Sequence, residues 1–204
     1  TVNKVCGSGM QTVIMGAEAL ASGSADYVVA GGMESMTNAP YVLKKHRSGA
    51  RIGHDTAYDH MFLDGLEDAY EAGRAMGTFA QETANEYQLT RENMDEYSIE
   101  SLRRANAAIE SGAFADEVVP VTFTTRAGDT TVDTDEQPGK GKPDKIPTLR
   151  PAFAKDGTIT AATSSSISDG AAAVVLTRES LASANGQSPV AKIVAVAAHA
   201  QEPA

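Results

Sequence analysis

Tryptophan is absent from this 204-residue chain, cysteine occurs once, and 17 lysines and arginines face 27 aspartates and glutamates. Each shortage excludes something. A single cysteine leaves no internal disulfide framework and fits a reducing compartment. A net charge of −10 argues against a nucleic-acid-binding surface. No apolar run approaches the roughly 20 residues that cross a bilayer. The polar first residues also lack the cationic and apolar regions of a secretory leader. The expectation is a soluble cytoplasmic protein with no nucleic-acid or membrane partner. What remains, 42% hydrophobic and 22% charged, is the composition of a globular chain long enough to bury a core.

What is present falls into zones. In residues 11–20, Val13, Ile14, Ala17, Ala19 and Leu20 have helical spacing, closed by Gly23. Tyr27-Val28-Val29-Ala30 then reads as a short buried strand ended by Gly31-Gly32. This rhythm is of α/β type. A second zone, 39–157, is acidic and helix-rich before it breaks into polar hairpin material. Thr90 is a good N-cap for a helix over 91–111, with Gly112 as its stop. Residues 118–123 and 130–134 read as strands flanking Ala127-Gly128-Asp129. The Pro-, Gly- and Lys-rich stretch 137–147 reads as an exposed loop. The first style then returns: 171–177 is a continuous apolar run suited to a central strand, 178–185 a helix, and 190–198 a strand with no partner after it. With no initial methionine and this unpartnered run near its end, the chain reads as an internal piece of a longer protein. The zones predict an α/β core interrupted by a long insertion, a common place for a lid or a substrate-binding subdomain.

The lone cysteine, Cys6, sits in the frame Val5-Cys6-Gly7-Ser8-Gly9 where helical spacing begins. A strand-like VNKV ahead of it places the thiol at a strand-to-helix turn. A helix N-terminus offers free N–H groups and a positive dipole end, which favour a thiolate. Gly7 and Gly9 leave room beside the sulfur, and the Cys6 N–H is available to a developing oxyanion. A lone cysteine reads equally as a small buried hydrophobe, and Gly-Ser-Gly as a plain turn.

The longer strings decide. VNKVCGSGM, VVAGGMESMTNAP, LRPAF and SDGAAA, in this order and spacing, resemble the thiolase family over nearly the whole chain. Thiolases exchange acyl groups between coenzyme A thioesters. The resemblance implies a layered α/β fold with an inserted loop domain, incomplete at both ends. Its parts would be 1–38 and 158–186 from the first thiolase half, 39–157 as the loop domain covering the active site, and 187–204 opening the second half. It implies that Cys6 is the nucleophile carrying an acyl-thioester intermediate. Leu66, Met76, Phe153, Ala161 and Ser165 fall on positions that contact coenzyme A or its pantetheine arm. Leu66, Met76 and Phe153 also suit plain core positions, whereas the Ser165 hydroxyl does not. The family's other catalytic groups lie in GHPxG, NEAF and CxG strings, none of which occurs here. Two departures touch the coenzyme contacts: Ala75 stands where many relatives have histidine, and Thr163-Ser164-Ser165-Ser166 replaces a common NASG turn.

The implied activity is acyl-CoA C-acyltransferase, more narrowly acetyl-CoA acetyltransferase. The alternatives are a longer-chain 3-ketoacyl-CoA thiolase of fatty-acid β-oxidation and a non-catalytic acyl-CoA-binding module. Coenzyme A thioesters would be substrates, with no cofactor, and the whole protein a homodimer or homotetramer. The chain alone is expected to be inactive. His54, Asp55, Asp59 and His60 cluster in sequence, but an acidic loop is the expected reading and no metal is expected. The acidic residues of 82–100 read as a solvated helix face. Lys140, Lys142 and Lys145 are candidate partners for coenzyme phosphates.

Overall fold

A computed structural model describes residues 1–202. In chain order the elements are α1 (Ser8–Ala21), β1 (Tyr27–Glu34), β2 (Tyr41–Val42), β3 (Tyr58–Asp59), α2 (Met76–Glu86), α3 (Arg91–Glu110), β4 (Val121–Thr125), β5 (Gly128–Val132), α4 (Glu136–Lys140), β6 (Gly170–Thr177) and α5 (Glu179–Ala184). Among the described residues the three sheets are antiparallel pairs: β1 with β6, β2 with β3, and β4 with β5. The described residues form two compact units, one of Thr1–Arg74 with residues 167–202, the other of Ala75–Ser166.

In the first unit, α1 lies on the β1–β6 ribbon. Leu20, Ala30 and Ala182 are its buried apolar residues. Strand alternation turns Val28 and Ala30 inward, while Val29 stays 74% exposed on the opposite face. The packing distance is set by small residues. A Cβ on Gly16 would stand 2.9 Å from the Leu176 methyl and 3.1 Å from that of Val28. β1 runs through Gly31-Gly32 to Glu34 rather than ending there. A Cβ on Gly31 would meet the Ala172 carbonyl oxygen at 2.2 Å, so these glycines are strand residues required by a close neighbour. Arg178 ties the ribbon to the end of α1: its guanidinium donates to the carbonyls of Leu20 (3.1 Å) and Ala25 (2.7 Å) and pairs with Asp26. The strand expected over 190–198 does not form. A strand needs a partner for its backbone groups, and among the described residues none lies beside this segment; Val190 and Val194 are exposed.

In the second unit, α3 begins where its cap requires, with the Thr90 side chain accepting from the Asn93 N–H, and ends ahead of Gly112 at φ 68°. The hairpin β4–β5 turns on Gly128 at φ 115°. Residues 137–147 are mostly exposed, as their composition suggests, but they are not irregular loop. They form α4 and a 3₁₀ turn, Pro143–Thr148, and bury Pro138 and Ile146. Gly141 is packed so tightly on α3 that a Cβ there would stand 2.5 Å from a Leu102 methyl. The acidic face of α3 is likewise not wholly solvated. Asp95 is buried, with Oδ2 accepting from the Arg91 Nε at 2.8 Å, and Arg91 Nη2 donates onward to the carbonyls of Ile146, Pro147 and Leu149.

Candidate functional site

Cys6 is a free, exposed thiol, one residue before Gly7, the N-cap of α1. The segment before it is not a strand. Lys4 and Cys6 form only an isolated bridge, and between them Val5 takes φ 50°, the left-handed region that a β-branched residue avoids. Strain of this kind costs about 1–3 kcal/mol and persists only when surrounding bonds enforce it. Here they do. Val5 N donates to Asn3 Oδ1 (3.0 Å), while the Val5 carbonyl accepts from Ser8 Oγ (2.7 Å) and Ser8 N (3.2 Å). Lys4 N donates to Ser8 Oγ (2.7 Å) and Gly7 N to the Lys4 carbonyl (3.0 Å). The polar residues Asn3 and Ser8 therefore hold a strained corner whose apex displays the thiol. The positive end of the 14-residue α1 starts immediately after it.

Gly9 has a role that spacing does not disclose. It opposes Gly32, whose Cβ, if present, would stand 3.2 Å from the Gly9 Cα. Thr12 Oγ1 donates to the Gly31 carbonyl at 2.9 Å beside this crossing. Gly9 thus seats α1, and with it the Cys6 corner, on β1.

Met76, Phe153, Ala161 and Ser165 all belong to the second unit, while Leu66, half-buried at the end of the π-helical turn Phe62–Leu66, belongs with Cys6 to the first. Within the second unit one framework links the four. Phe153 lies over the first turn of α2, so close that a Cβ on Gly77 would stand 2.2 Å from its ring; Met76 is the preceding residue and is exposed. The Ala152 N–H donates to the Ile159 carbonyl (2.8 Å), joining the Phe153 segment to the one that leads into Ala161. Thr160, fully buried, organises the turn that follows. Its N–H donates to Thr163 Oγ1 (2.8 Å), its hydroxyl accepts from Ala162 N (3.2 Å), and its carbonyl accepts from Ser164 Oγ (2.8 Å). Ser164 is spent on this turn. The next residue, Ser165, is exposed and its hydroxyl makes no hydrogen bond among the described residues.

Sequence reasoning passed over Gln81 and Gly77, which meet Thr158, Ile159 and Phe153 more than 70 residues away in the chain. Of the other candidates, His46 lies 3.4 Å from Asp55 and His60 3.1 Å from Asp64. No group of three or more histidine, cysteine, aspartate or glutamate side chains is placed to hold a metal among the described residues. Lys140 sits 3.9 Å from Glu136 on exposed α4. No helix among the described residues is long and apolar enough to cross a membrane.

An α/β chain with a strained cysteine corner at a helix start defines a class of cysteine-bearing α/β proteins, and comparison narrows it. The family model described as "Thiolase, N-terminal domain" matches residues 1–180. The chain is 48% identical over 206 residues to an acetyl-CoA acetyltransferase of Escherichia coli (strain K12), covering 100% of this chain and 52% of that protein. It is 45% identical over 204 residues to a probable acetyl-CoA acetyltransferase of Dictyostelium discoideum, covering 100% of this chain and 49% of that protein. Among solved structures it resembles the Acat5 thiolase from Ascaris suum in complex with coenzyme A, with TM-score 0.81 and 43% identity over 93% of this chain and 48% of that one. The chain belongs to the thiolase family and has its α/β fold. It spans about half the length of the curated relatives it matches.

Proposed function

We propose that this chain carries the acyl-accepting cysteine and part of the coenzyme-binding surface of an acyl-CoA C-acyltransferase, most narrowly an acetyl-CoA acetyltransferase. The observation that carries the reading is the Cys6 corner: an exposed thiol at a helix start, on a left-handed valine. Relatives named acetyl-CoA acetyltransferase at 48% and 45% identity support the narrower assignment.

In the proposed reaction the Cys6 thiolate attacks the thioester carbonyl of acetyl-CoA. A carbon–sulfur bond forms to Cys6, the bond to the coenzyme sulfur breaks, and coenzyme A leaves as the thiol after taking a proton. The α-carbon of a second acetyl-CoA then gives up a proton and attacks the acetyl carbonyl, so that a carbon–carbon bond forms, the bond to Cys6 breaks and the thiolate is regenerated; the reverse sequence cleaves a 3-ketoacyl-CoA. Splitting one displacement into two makes each easier. Met76, Phe153, Ala161 and Ser165, with Leu66, are the proposed coenzyme contacts. The Ser165 hydroxyl offers a hydrogen bond to the pantetheine arm, and Phe153 an apolar wall. Coenzyme A thioesters enter as substrates, and the whole protein is proposed to work as a cytoplasmic homo-oligomer.

The test is mass spectrometry of the whole protein quenched during turnover of acetyl-CoA. The acetyl group is expected on the peptide bearing Cys6. An enzyme that turns over with Cys6 unmodified, or a Cys6→Ser variant of undiminished rate, ends the proposal.

A further inference from the structure

Gln81 lies on α2 and is only 6% exposed, yet all of its hydrogen-bonding capacity is used. Its Oε1 accepts from the backbone N–H of Thr158 (2.8 Å) and of Ile159 (3.1 Å), and its Nε2 donates to Thr158 Oγ1 (3.1 Å) and Asn85 Oδ1 (3.0 Å). An amide has two acceptor sites and two donors, so the group is saturated. Gly157 makes the approach possible, since a Cβ there would stand 2.5 Å from Oε1. Two backbone N–H groups that no strand satisfies are thereby held by one side chain from a helix.

We propose that Gln81 is the positioning residue for the turn carrying Ala161 and Ser165, and so sets where the coenzyme arm is met. The bonds inside 160–164 are local and shape the turn without fixing its place. Placement comes from just upstream, where Gln81 holds residues 158 and 159 and the Ala152 N–H holds the Ile159 carbonyl. The same helix seats Phe153 over Gly77 in its first turn. A single rigid element therefore spaces the apolar wall from the free hydroxyl. This inference rests on reading Phe153 and Ser165 as coenzyme contacts. It predicts that Gln81 governs coenzyme affinity and leaves acyl transfer at Cys6 alone.

The experiment measures KM for coenzyme A and kcat in thiolysis of acetoacetyl-CoA by the whole protein, for Gln81→Leu, Gln81→Glu, Gly157→Ala and Ser165→Ala, each with a melting curve. Gln81→Leu is expected to raise KM about tenfold at nearly constant kcat, the scale of a lost buried hydrogen-bonding group. Gln81→Glu keeps both acceptors for the backbone N–H groups and is expected to restore KM to within about threefold, which a merely space-filling role would not require. Gly157→Ala pushes on the same contact from the other side, leaves Gln81 in place, and is expected to raise KM as well; it decides the matter if Gln81→Leu does not fold. If Ser165→Ala raises KM while Gln81→Leu and Gly157→Ala only lower the melting temperature, positioning by Gln81 is overturned and the coenzyme reading stands. If none of the four changes KM, both fall.

Discussion

Gly32 of β1 lies against Gly9 of α1, close enough that a Cβ on Gly32 would stand 3.2 Å from the Gly9 Cα and 3.4 Å from its nitrogen. The helix that begins two residues after Cys6 therefore rests on the strand backbone to backbone. Gly32→Ala is expected to destabilise by about 1–2 kcal/mol, since the helix must give by a few tenths of an ångström. Gly31→Ala should be worse, because its Cβ would meet the Ala172 carbonyl oxygen at 2.2 Å, and backbone cannot swing aside. Urea melts of the two variants check the order. If Gly31→Ala is the milder change, the ribbon does not pack this way.

Arg91 and Asp95 form a partly buried ion pair in which Arg91 also caps three carbonyls of the segment after α4. Asp95 Oδ1 is buried with no hydrogen-bond partner among the described residues, so the carboxylate's ion pair is with Arg91 through Oδ2. Removing the arginine strands that carboxylate. Arg91→Met is expected to cost about 3 kcal/mol, and adding Asp95→Leu to recover part of the loss. A double variant less stable than Arg91→Met alone would show that the three carbonyl contacts, not the stranded charge, dominate.

What could be read from the chain divides along one physical line. Features fixed by local chemistry were legible: the Thr90 cap, the Gly112 stop, the Gly128 turn, and the helix after Cys6. Features set by a distant partner were not. Residues 137–147 look like solvated loop, yet Ile146 is buried where its 3₁₀ turn packs on α3, with Arg91, 55 residues earlier in the chain, donating to its carbonyl. Gly31-Gly32 looks like a strand end but continues β1, because Ala172 and α1 require bare backbone there. The apolar run at 190–198 has strand composition and forms no strand, since composition supplies no partner. At the candidate site the same division holds. Cys6 is conspicuous in its glycine frame, while the left-handed Val5 and the buried Gln81 emerge only from three-dimensional contacts.

Two exposed carboxylates give the fold an acid-sensitive contribution. Hydrogen bonds from Arg103 and then Arg104 bring Glu100 down from 4.5 to about 2. The Thr37 N–H, donating to Asp169 Oδ1 at 2.9 Å, holds that carboxyl below its ordinary value. A carboxyl whose folded value is depressed stabilises the fold above its unfolded value and loses that contribution as pH falls toward the folded one. The stability gap between the protein and its Asp169→Asn or Glu100→Gln variants should therefore be widest near neutrality and begin to narrow at about pH 4, closing for Glu100 only as pH approaches about 2. Salt should narrow it too, because both groups lie at the surface. Gaps that widen on acidification would reverse the assigned sign.

In the 204-residue chain by itself, Cys6 is expected to accept an acetyl group slowly, and the chain is expected not to turn over. A thiol at a helix start is partly activated by the helix end, so stoichiometric transfer from acetyl-CoA is within its chemistry. Turnover asks for more. One group must take the thiol proton, one must protonate the departing coenzyme, and one must move the α-proton of the second substrate. Each such positioned acid or base contributes roughly 10²–10⁴-fold. The strings that supply them in thiolases do not occur in this sequence, and His46 and His60 are engaged with Asp55 and Asp64. The measurement sets the purified chain beside the whole protein, following acetyl-Cys6 by mass spectrometry and acetoacetyl-CoA thiolysis by loss of the substrate's absorbance. Slow acetylation without turnover is the expected pair of results. Turnover by the chain at a rate comparable to the whole protein would mean that the proton-moving groups lie within these residues, and that the division of chemistry argued for Cys6 is wrong.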